Sequence, residues 1–461
     1  MRQSCHTAWA INTFGKATLG DPRRTQRLIK LSAAMAANPG CSIVKTTDTS
    51  ADMEGAYRFL RNELVDVNAI AEAGFQATIK KANQYGLLLA LEDTTTLSYQ
   101  HRSLRDELGH LNQGDRYRGL LAHSVLLYAP HEKDVIGLVA QHRWTRDITT
   151  RGKRSLHAST PYEEKEGYKW EQVSTDMSTR LGEILPRVIS VCDREADIYE
   201  YLRYKLTHSQ RFVVRSMQSR HIEETDHKLY HYASELQVAG QKKVHIAQKG
   251  GRSARVALTN IVYAPVTLKA PSNKQGQSLP LYYVGCHEID GLDSATALSW
   301  HLLTSEPVQS AEDALSIIEM YEKRWLVEEY HKTWKSDGTD VENLRMQSRE
   351  NTERMAVLQA FVAVRIMQLK MAPEQDATRC CEEVLSVKSW KLLWLKQEKK
   401  PLPETPPSLL WAYRTLASLG GWKDSKGTGK VSVKTLWQGW FKLQTILEGY
   451  ELAQSLNQQN L

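Results

Sequence analysis

The chain has 461 residues and carries 60 Lys+Arg against 53 Asp+Glu, a formal charge of +7. At that length one hydrophobic core rarely suffices, so two to four domains are expected; the modest basic excess suits a polyanionic partner and equally an ordinary, slightly basic enzyme. Six cysteines without CxxC spacing exclude a disulfide scaffold or a zinc module.

The N-terminal MRQSCHTAWA has no apolar signal core. The most apolar helical stretch, MAVLQAFVAVRIMQLKM at 355–371, is interrupted by Gln359, Arg365 and Gln368, which predicts a core helix and no membrane span. A cytoplasmic protein is expected.

Residues 1–70 read as helical and basic. In GDPRRTQRLIKLSAAMAA, Asp21 is placed to cap a helix and Pro22 to open it. Arg23, Arg24, Arg27 and Lys30 then recur opposite Leu28, Leu31 and Met35, a face that is either solvated or a grip for phosphates. EGAYRFLRN repeats the arrangement with Tyr57, Arg58 and Arg61.

From residue 86 the texture turns to strands: LLLALED, expected to stop at Asp93, then HSVLLYA and VIGLVAQHRW. A helix at about 168–185 leads into VISVCDREAD, and RFVVRSM follows. This succession predicts a mixed α/β layer with a largely buried sheet. About 217–308 the alternating KKVHIAQ, RVALTNIVY, VTLKA, LYYVGCHEI and ALSWHLL predict an all-β insertion. Helices resume at Ser310, and the prolines of KKPLPETPPS mark a linker near 401 before a last helical module.

Two of these strands are expected to end in aspartate, Asp93 and Asp193, and the carboxyl ends of strands in an α/β sheet are where ligands collect. Taken singly, Asp93 also reads as a turn former and Asp193 as a helix cap. The D-x-E-x-D of Asp193, Glu195 and Asp197 does not make a calcium loop, because Ile198 stands where glycine is needed and Tyr204 where glutamate is needed.

A third acid lies on SAEDALSIIEMYEKRWLVEEYHKTWK. Ser310 and Asp313 form a capping-box start, and Leu315, Ile318 and Trp325 a core stripe. Tyr321, Arg324, Glu328 and Lys335 fall within about 60° of one another and, on an unbroken helix, span about 21 Å. Such a face is either a salt-bridged surface stripe or a site. Glu329 lies about 100° round the helix, so only one of the two glutamates shares that face.

EDTTTLSY, VCDREAD and the Tyr-x2-Arg-x3-Glu-x6-Lys helix together resemble the DDE transposases of bacterial insertion sequences, in the IS-four branch that holds the transposase of transposon five. The likeness extends over nearly the whole chain, through GDPRRTQRL, RFVVRS, WHLLTSEP, LGGWKDSKGTG and LWQGW.

The resemblance implies an RNase H-like catalytic core at 71–400 with the all-β insertion, flanked by a helical end-sequence DNA-binding domain at 1–70 and a helical dimerisation domain at 401–461. It implies a triad of Asp93, Asp193 and Glu328 holding two Mg²⁺, with Mn²⁺ as a substitute; hard oxygen donors suit such ions. The activity implied is cut-and-paste transposition: nicking at the element's end, hairpin formation, hairpin resolution and joining to target DNA. Tyr321, Arg324, Lys335 and Arg215 then contact DNA, Trp300 receives a flipped base, and Arg23, Arg24, Arg27, Arg58 and Arg61 read the terminal repeats. Met217 departs from the basic residue expected there. The implied partners are double-stranded DNA and a second copy of the chain, in the cytoplasm at the nucleoid. The alternative is a catalytically silent end-binding regulator derived from such an enzyme.

Overall fold

The structure, a computed structural model, describes residues 5–47, 49–112, 117–150, 160–246, 255–272, 276–289, 297–425 and 431–458. The strands among them are β1 (Leu88–Tyr99), β2 (Gly109–His110), β3 (Arg118–Ala129), β4 (Asp134–Trp144), β5 (Val188–Cys192), β6 (Arg211–Arg215), β7 (Gly240–Ile246), β8 (Arg255–Leu268), β9 (Leu279–Glu288) and β10 (Ser299–Thr304). All belong to one sheet in the order β2-β3-β1-β5-β6-β10-β9-β8-β7, with β4 sharing the outer edge of β3. The β1, β5 and β6 strands run parallel to one another, and every other pairing is antiparallel.

Helices surround the sheet. The N-terminal group is α1 (Cys5–Phe14), α2 (Pro22–Ala37), α3 (Ile43–Thr46), α4 (Ser50–Arg61) and α5 (Val67–Ala82). Next come α6 (Lys169–Leu181), α7 (Tyr199–Thr207), α8 (Leu229–Glu235), α9 (Ala311–Lys323), α10 (Trp325–Lys332) and α11 (Arg349–Gln375). The chain closes with α12 (Val387–Gln397), α13 (Leu409–Leu419) and α14 (Val433–Gln458).

The apolar start of β1 has no polar alternation because both of its faces are covered. Leu89 and Leu91 enter the core that contains α11, whereas Leu88 and Ala90 enter the one that contains α6. As its sequence predicts, α11 is a core helix: 78% of its most apolar window is buried. Its Phe361 ring packs edge-on against Phe14 at 5.5 Å, and a Cβ at Gly74 would stand 2.3 Å from that ring, so the approach of α5 to α11 requires glycine there. Asp21 caps α2 by accepting from the Arg23 amide at 2.8 Å, and the Ser310/Asp313 capping box opens α9.

Several expectations need correction. β1 does not stop at Asp93; it continues to Tyr99 because β3 still pairs with it, Asp93 opposite Ser124. RVALTNIVY and VTLKA are one strand, β8, which tolerates Pro265 because β7 accompanies β8 only as far as Ile261. The insertion is not all-β: Leu229 and Ala233, one turn apart and both buried, hold α8 inside it. Its last strand, β10, pairs with β6 and so extends the main sheet.

The Tyr-Arg-Glu-Lys helix is not continuous either. The backbone tightens at Arg324, whose amide bonds back to Tyr321 and whose carbonyl accepts from Val327, both i to i+3, and a π-turn occupies Thr333–Asp337. Trp325 leaves the core stripe and is 43% exposed.

Candidate active site

Parallel pairing sets β1 against β5 in the register Leu88↔Val188 to Leu91↔Val191. Two residues further along each chain stand Asp93 and Asp193, on tracks about 4.8 Å apart. β5 ends at Cys192, and Asp193 caps the 3₁₀ turn Arg194–Ala196, its Oδ1 accepting from the Glu195 amide at 2.9 Å. The sheet therefore delivers two carboxylates to one place, although Asp93 is mid-strand and only Asp193 is terminal.

Electrostatics register the crowding. Burial, and then the negative charge of Asp93, push the Asp193 carboxyl above its usual range despite the Glu195 amide. Burial pushes Asp93 upward too, but His331 and then Arg324 outweigh it and leave that carboxyl lowered. His331 Nδ1 stands 3.5 Å from Asp93 Oδ2, and its buried Nε2 has no protein partner.

Arg324 is the cation of the cluster. Its side chain is 13% exposed, and Nη2 donates to Glu328 Oε1 at 2.6 Å. Burial would lower its pKa, but Tyr321, Glu328 and Asp93 outweigh that and raise it. Glu329 turns the other way and accepts from Lys370 of α11 at 3.0 Å, so Glu328 is the glutamate that shares Arg324 with the aspartates. Among the described residues no three His, Cys, Asp or Glu side chains stand close enough together to hold a metal ion. In type, three hard carboxylates suit a divalent ion, but Glu328 is held by Arg324 and only the two aspartates crowd together.

An aromatic ladder continues from Arg324. Its guanidinium lies 5.8 Å from the Tyr321 ring centroid, and Tyr321 meets Trp300 of β10 edge-on at 5.1 Å. Arg215 donates to the Ser299 carbonyl at 2.9 Å, next to Trp300, and Met217 is exposed. At the other end Lys335, in the π-turn, pairs with Glu342 at 3.4 Å, and Glu342 accepts from the Ser98 amide at 2.8 Å. Tyr321, Arg324 and Glu328 are thus linked side chain to side chain across the break in the helix, and Lys335 is joined to the end of β1 through Glu342.

Asp197 is a fastener. Its buried carboxylate accepts from Arg220 at 2.8 Å and from the Met217 amide at 2.7 Å, fixing the turn after β6. In the N-terminal helices Arg23, Arg58 and Arg61 are exposed, whereas Arg24 donates to the Leu19 carbonyl at 2.7 Å and Arg27 pairs with Asp52 at 3.3 Å. These five arginines lie well apart in chain from the carboxylate cluster, on α2 and α4.

Sequence reading missed two features. His331 follows Glu328 by three residues, a spacing that puts it on the same helical face. Beneath the aspartates, Glu92 of β1, His123 of β3 and Lys205 of α7 are all buried: Lys205 donates to Ser190 Oγ at 2.9 Å and Gln210 Oε1 at 3.0 Å. An acid inside an apolar run was the available sign.

A family model described as transposase DNA-binding matches residues 6–65, over α1 to α4, and one described as transposase Tn5 dimerisation domain matches residues 358–460, from within α11 through α14. Both ends of the chain are thus similar to transposases, the second to those of the Tn5 type. Its two matched segments flank the strands that hold the carboxylates, and they meet directly: Trp440 of α14 donates to the Ala37 carbonyl of α2 at 3.3 Å. Arg354 of α11 donates to the carbonyls of Val65 and Leu60 at 2.7 and 2.8 Å, tying the first matched segment to the core. Among solved structures, the cryo-EM structure of piggyBac transposase synaptic complex with hairpin DNA is similar over 94% of this chain and 73% of that chain, at 10% identity and a TM-score of 0.36, too distant to inform the chemistry.

Proposed function

We propose that the protein is a cut-and-paste DNA transposase that excises an element by nicking, hairpin formation and hairpin resolution, and then joins it to target DNA. The observation that carries this reading is the register that sets Asp93 beside Asp193, with Glu328 linked to both through Arg324. The order β4-β3-β1-β5-β6, antiparallel for the first three strands and parallel for the last three, supports an RNase H-like core. The chain is read as a DNA-binding module at 1–70, a catalytic domain at 71–400 and a dimerising tail at 401–461.

Asp93, Asp193 and Glu328 would hold Mg²⁺ or Mn²⁺, and the ions, when bound, lower the pKa of an attacking hydroxyl and stabilise the leaving oxygen. The protein's own part is binding and orientation. Arg324 and Lys335 grip the phosphates beside the scissile bond, and release of Arg324 to a phosphate frees Glu328 to join the aspartates. His331 steadies Asp93. Trp300, backed by Tyr321, offers an aromatic face to a base taken out of the stack when the hairpin forms. Arg23, Arg58 and Arg61 are exposed for reading terminal repeats, with Arg24 and Arg27 beside them on α2, Arg215 contacts DNA near Trp300, and two copies of the chain hold two element ends.

The Arg324–Glu328 contact also favours a second reading, a silent regulator that binds ends without cutting. One experiment separates the two: full-length protein is given a duplex bearing the matched terminal repeat, with Mg²⁺. The transposase reading expects nicked, hairpin and joined products, all abolished in Asp93→Ala, Asp193→Ala and Glu328→Ala while end binding persists. Binding by the wild type with no cut strand would establish the regulator instead.

A further inference from the structure

A cavity of about 400 Å³ opens at the far end of β1, lined by Tyr99, His101, Arg102, Arg105, Tyr117 and Arg118. Three arginines, a histidine and two tyrosines around one hollow are the side chains that contact phosphodiesters. Arg102 and Arg105 are exposed, and neither side chain has a protein partner among the interactions described. Tyr99 is 3% exposed, and its buried hydroxyl makes no hydrogen bond within the protein. The neighbouring Glu107 is engaged elsewhere, its Oε2 accepting from the Arg349 amide at the start of α11 at 2.6 Å.

The cavity is joined to the carboxylate site by the same segments. Glu342 touches both Lys335 and the Ser98 amide, one residue before Tyr99, and Ser103 donates to the Met346 carbonyl at 3.4 Å. The exposed Arg345 lies between those two anchor points in the chain. Lys335, Arg345, Arg102 and Arg105 therefore lie on segments that these contacts hold together.

We infer that this cavity is a second DNA-backbone site, which takes phosphates of the duplex beyond the reacting bond; the inference rests on the transposase reading above. Six residues of strand separate Asp93 from Tyr99, or about 20 Å. At 3.4 Å per base pair, the phosphates held there lie about six base pairs from the scissile one. The duplex in question is the flanking DNA outside the element's end, with target DNA as the other source of the same phosphates.

The test uses full-length wild type, Arg102→Ala/Arg105→Ala and Arg102→Lys/Arg105→Lys, all checked for equal melting temperature. Affinity is measured across a salt series for terminal-repeat duplexes with 2 or 10 flanking base pairs. The wild type is expected to prefer the long flank at least fivefold. The alanine pair should lose that preference and about two units of salt slope, at about 0.9 per phosphate released, while the lysine pair keeps both. Cutting of the short-flank duplex should be equal in all three, so failure of the wild type to cut would indict the transposase reading and not this site. Equal flank affinities in the wild type, with joining to target lost only in the alanine pair, would assign the site to target DNA. Unchanged flank preference, salt slope and joining in the alanine pair would overturn the inference.

Discussion

Replacing Lys205 with methionine tests the buried layer under the aspartates. Lys205 is fully buried, donates to Ser190 and Gln210, and lies over the Tyr201 ring at 5.4 Å. Burial lowers its pKa more than Glu92 and Cys192 raise it. Glu92, also fully buried, is driven up by burial, but the His123 bond and then the Lys205 charge outweigh this and hold it low. The ammonium's own desolvation is removed by the substitution, but Glu92 then loses its cation, and two acceptors lose a donor. Glu92 and Lys205 are not in contact, so losing their attraction costs less than the ~3–5 kcal/mol of a broken buried pair, while the acceptors Ser190 and Gln210, left unsatisfied, cost about 1–3 kcal/mol each. Lys205→Met is thus expected to lose about 4 kcal/mol in urea unfolding followed by circular dichroism, whereas Glu92→Gln/Lys205→Met should recover at least about 2 kcal/mol of it. Because Glu92 adjoins Asp93, and Ser190 is on β5, the single variant should also bind end DNA normally yet cut it poorly. A single-variant loss below about 1 kcal/mol, or strictly additive losses in the double variant, would refute the account.

Trp300→Ala should slow hairpin formation at least tenfold while sparing the first nick, read on denaturing gels with a time course; equal slowing of both would make Trp300 a structural residue. Arg354→Leu removes two buried donors to Leu60 and Val65 carbonyls, and should cost about 2–4 kcal/mol and increase proteolysis between residues 60 and 70, seen by limited trypsin digestion. Burial first, then Arg365, lowers His6 to about 4, and burial, then His287 and Arg215, lowers His301 to about 3. The unfolded chain therefore takes up protons below pH 6.5 that the folded chain refuses, so stability is full above about pH 6.5 and falls as pH drops toward 4. Melting temperature should decline between pH 6.5 and 5, less steeply in His301→Gln; a flat profile in that window would contradict the assignment.

Local patterns reached much of this architecture. The cap and proline of α2, the capping box of α9, the apolar runs of β1 and β5 and the cationic spacing around Glu328 each express a rule that acts within a few residues. What escaped depends on partners distant in the chain. β1 continues past Asp93 because β3 is beside it, and Pro265 is accommodated because β7 has ended. Helical periodicity implied an unbroken rod through Arg324 and Lys335, but the tightening at one and the π-turn at the other arise where the helix packs against β1 and α11. Nothing local marks Lys205 as buried, and only the sheet behind its helix supplies the Ser190 hydroxyl to which it donates.

The pairing of β10 onto β6 has one more effect. Leu302 sits opposite Arg215, and Arg215 continues the row that runs through Val214 to Cys192, the neighbour of Asp193. Two strand spacings, on the order of 10 Å, thus lie between the strand that leads into Asp193 and the strand bearing Trp300, and one more separates Trp300's strand from that of Asp93. A hydrogen-bonded ladder sets that gap, so no loop can stretch or shrink it. On the proposed reading, the offset between broken bond and extruded nucleotide would be gauged by the weave of the protein, and moving it by one step would mean reweaving the sheet.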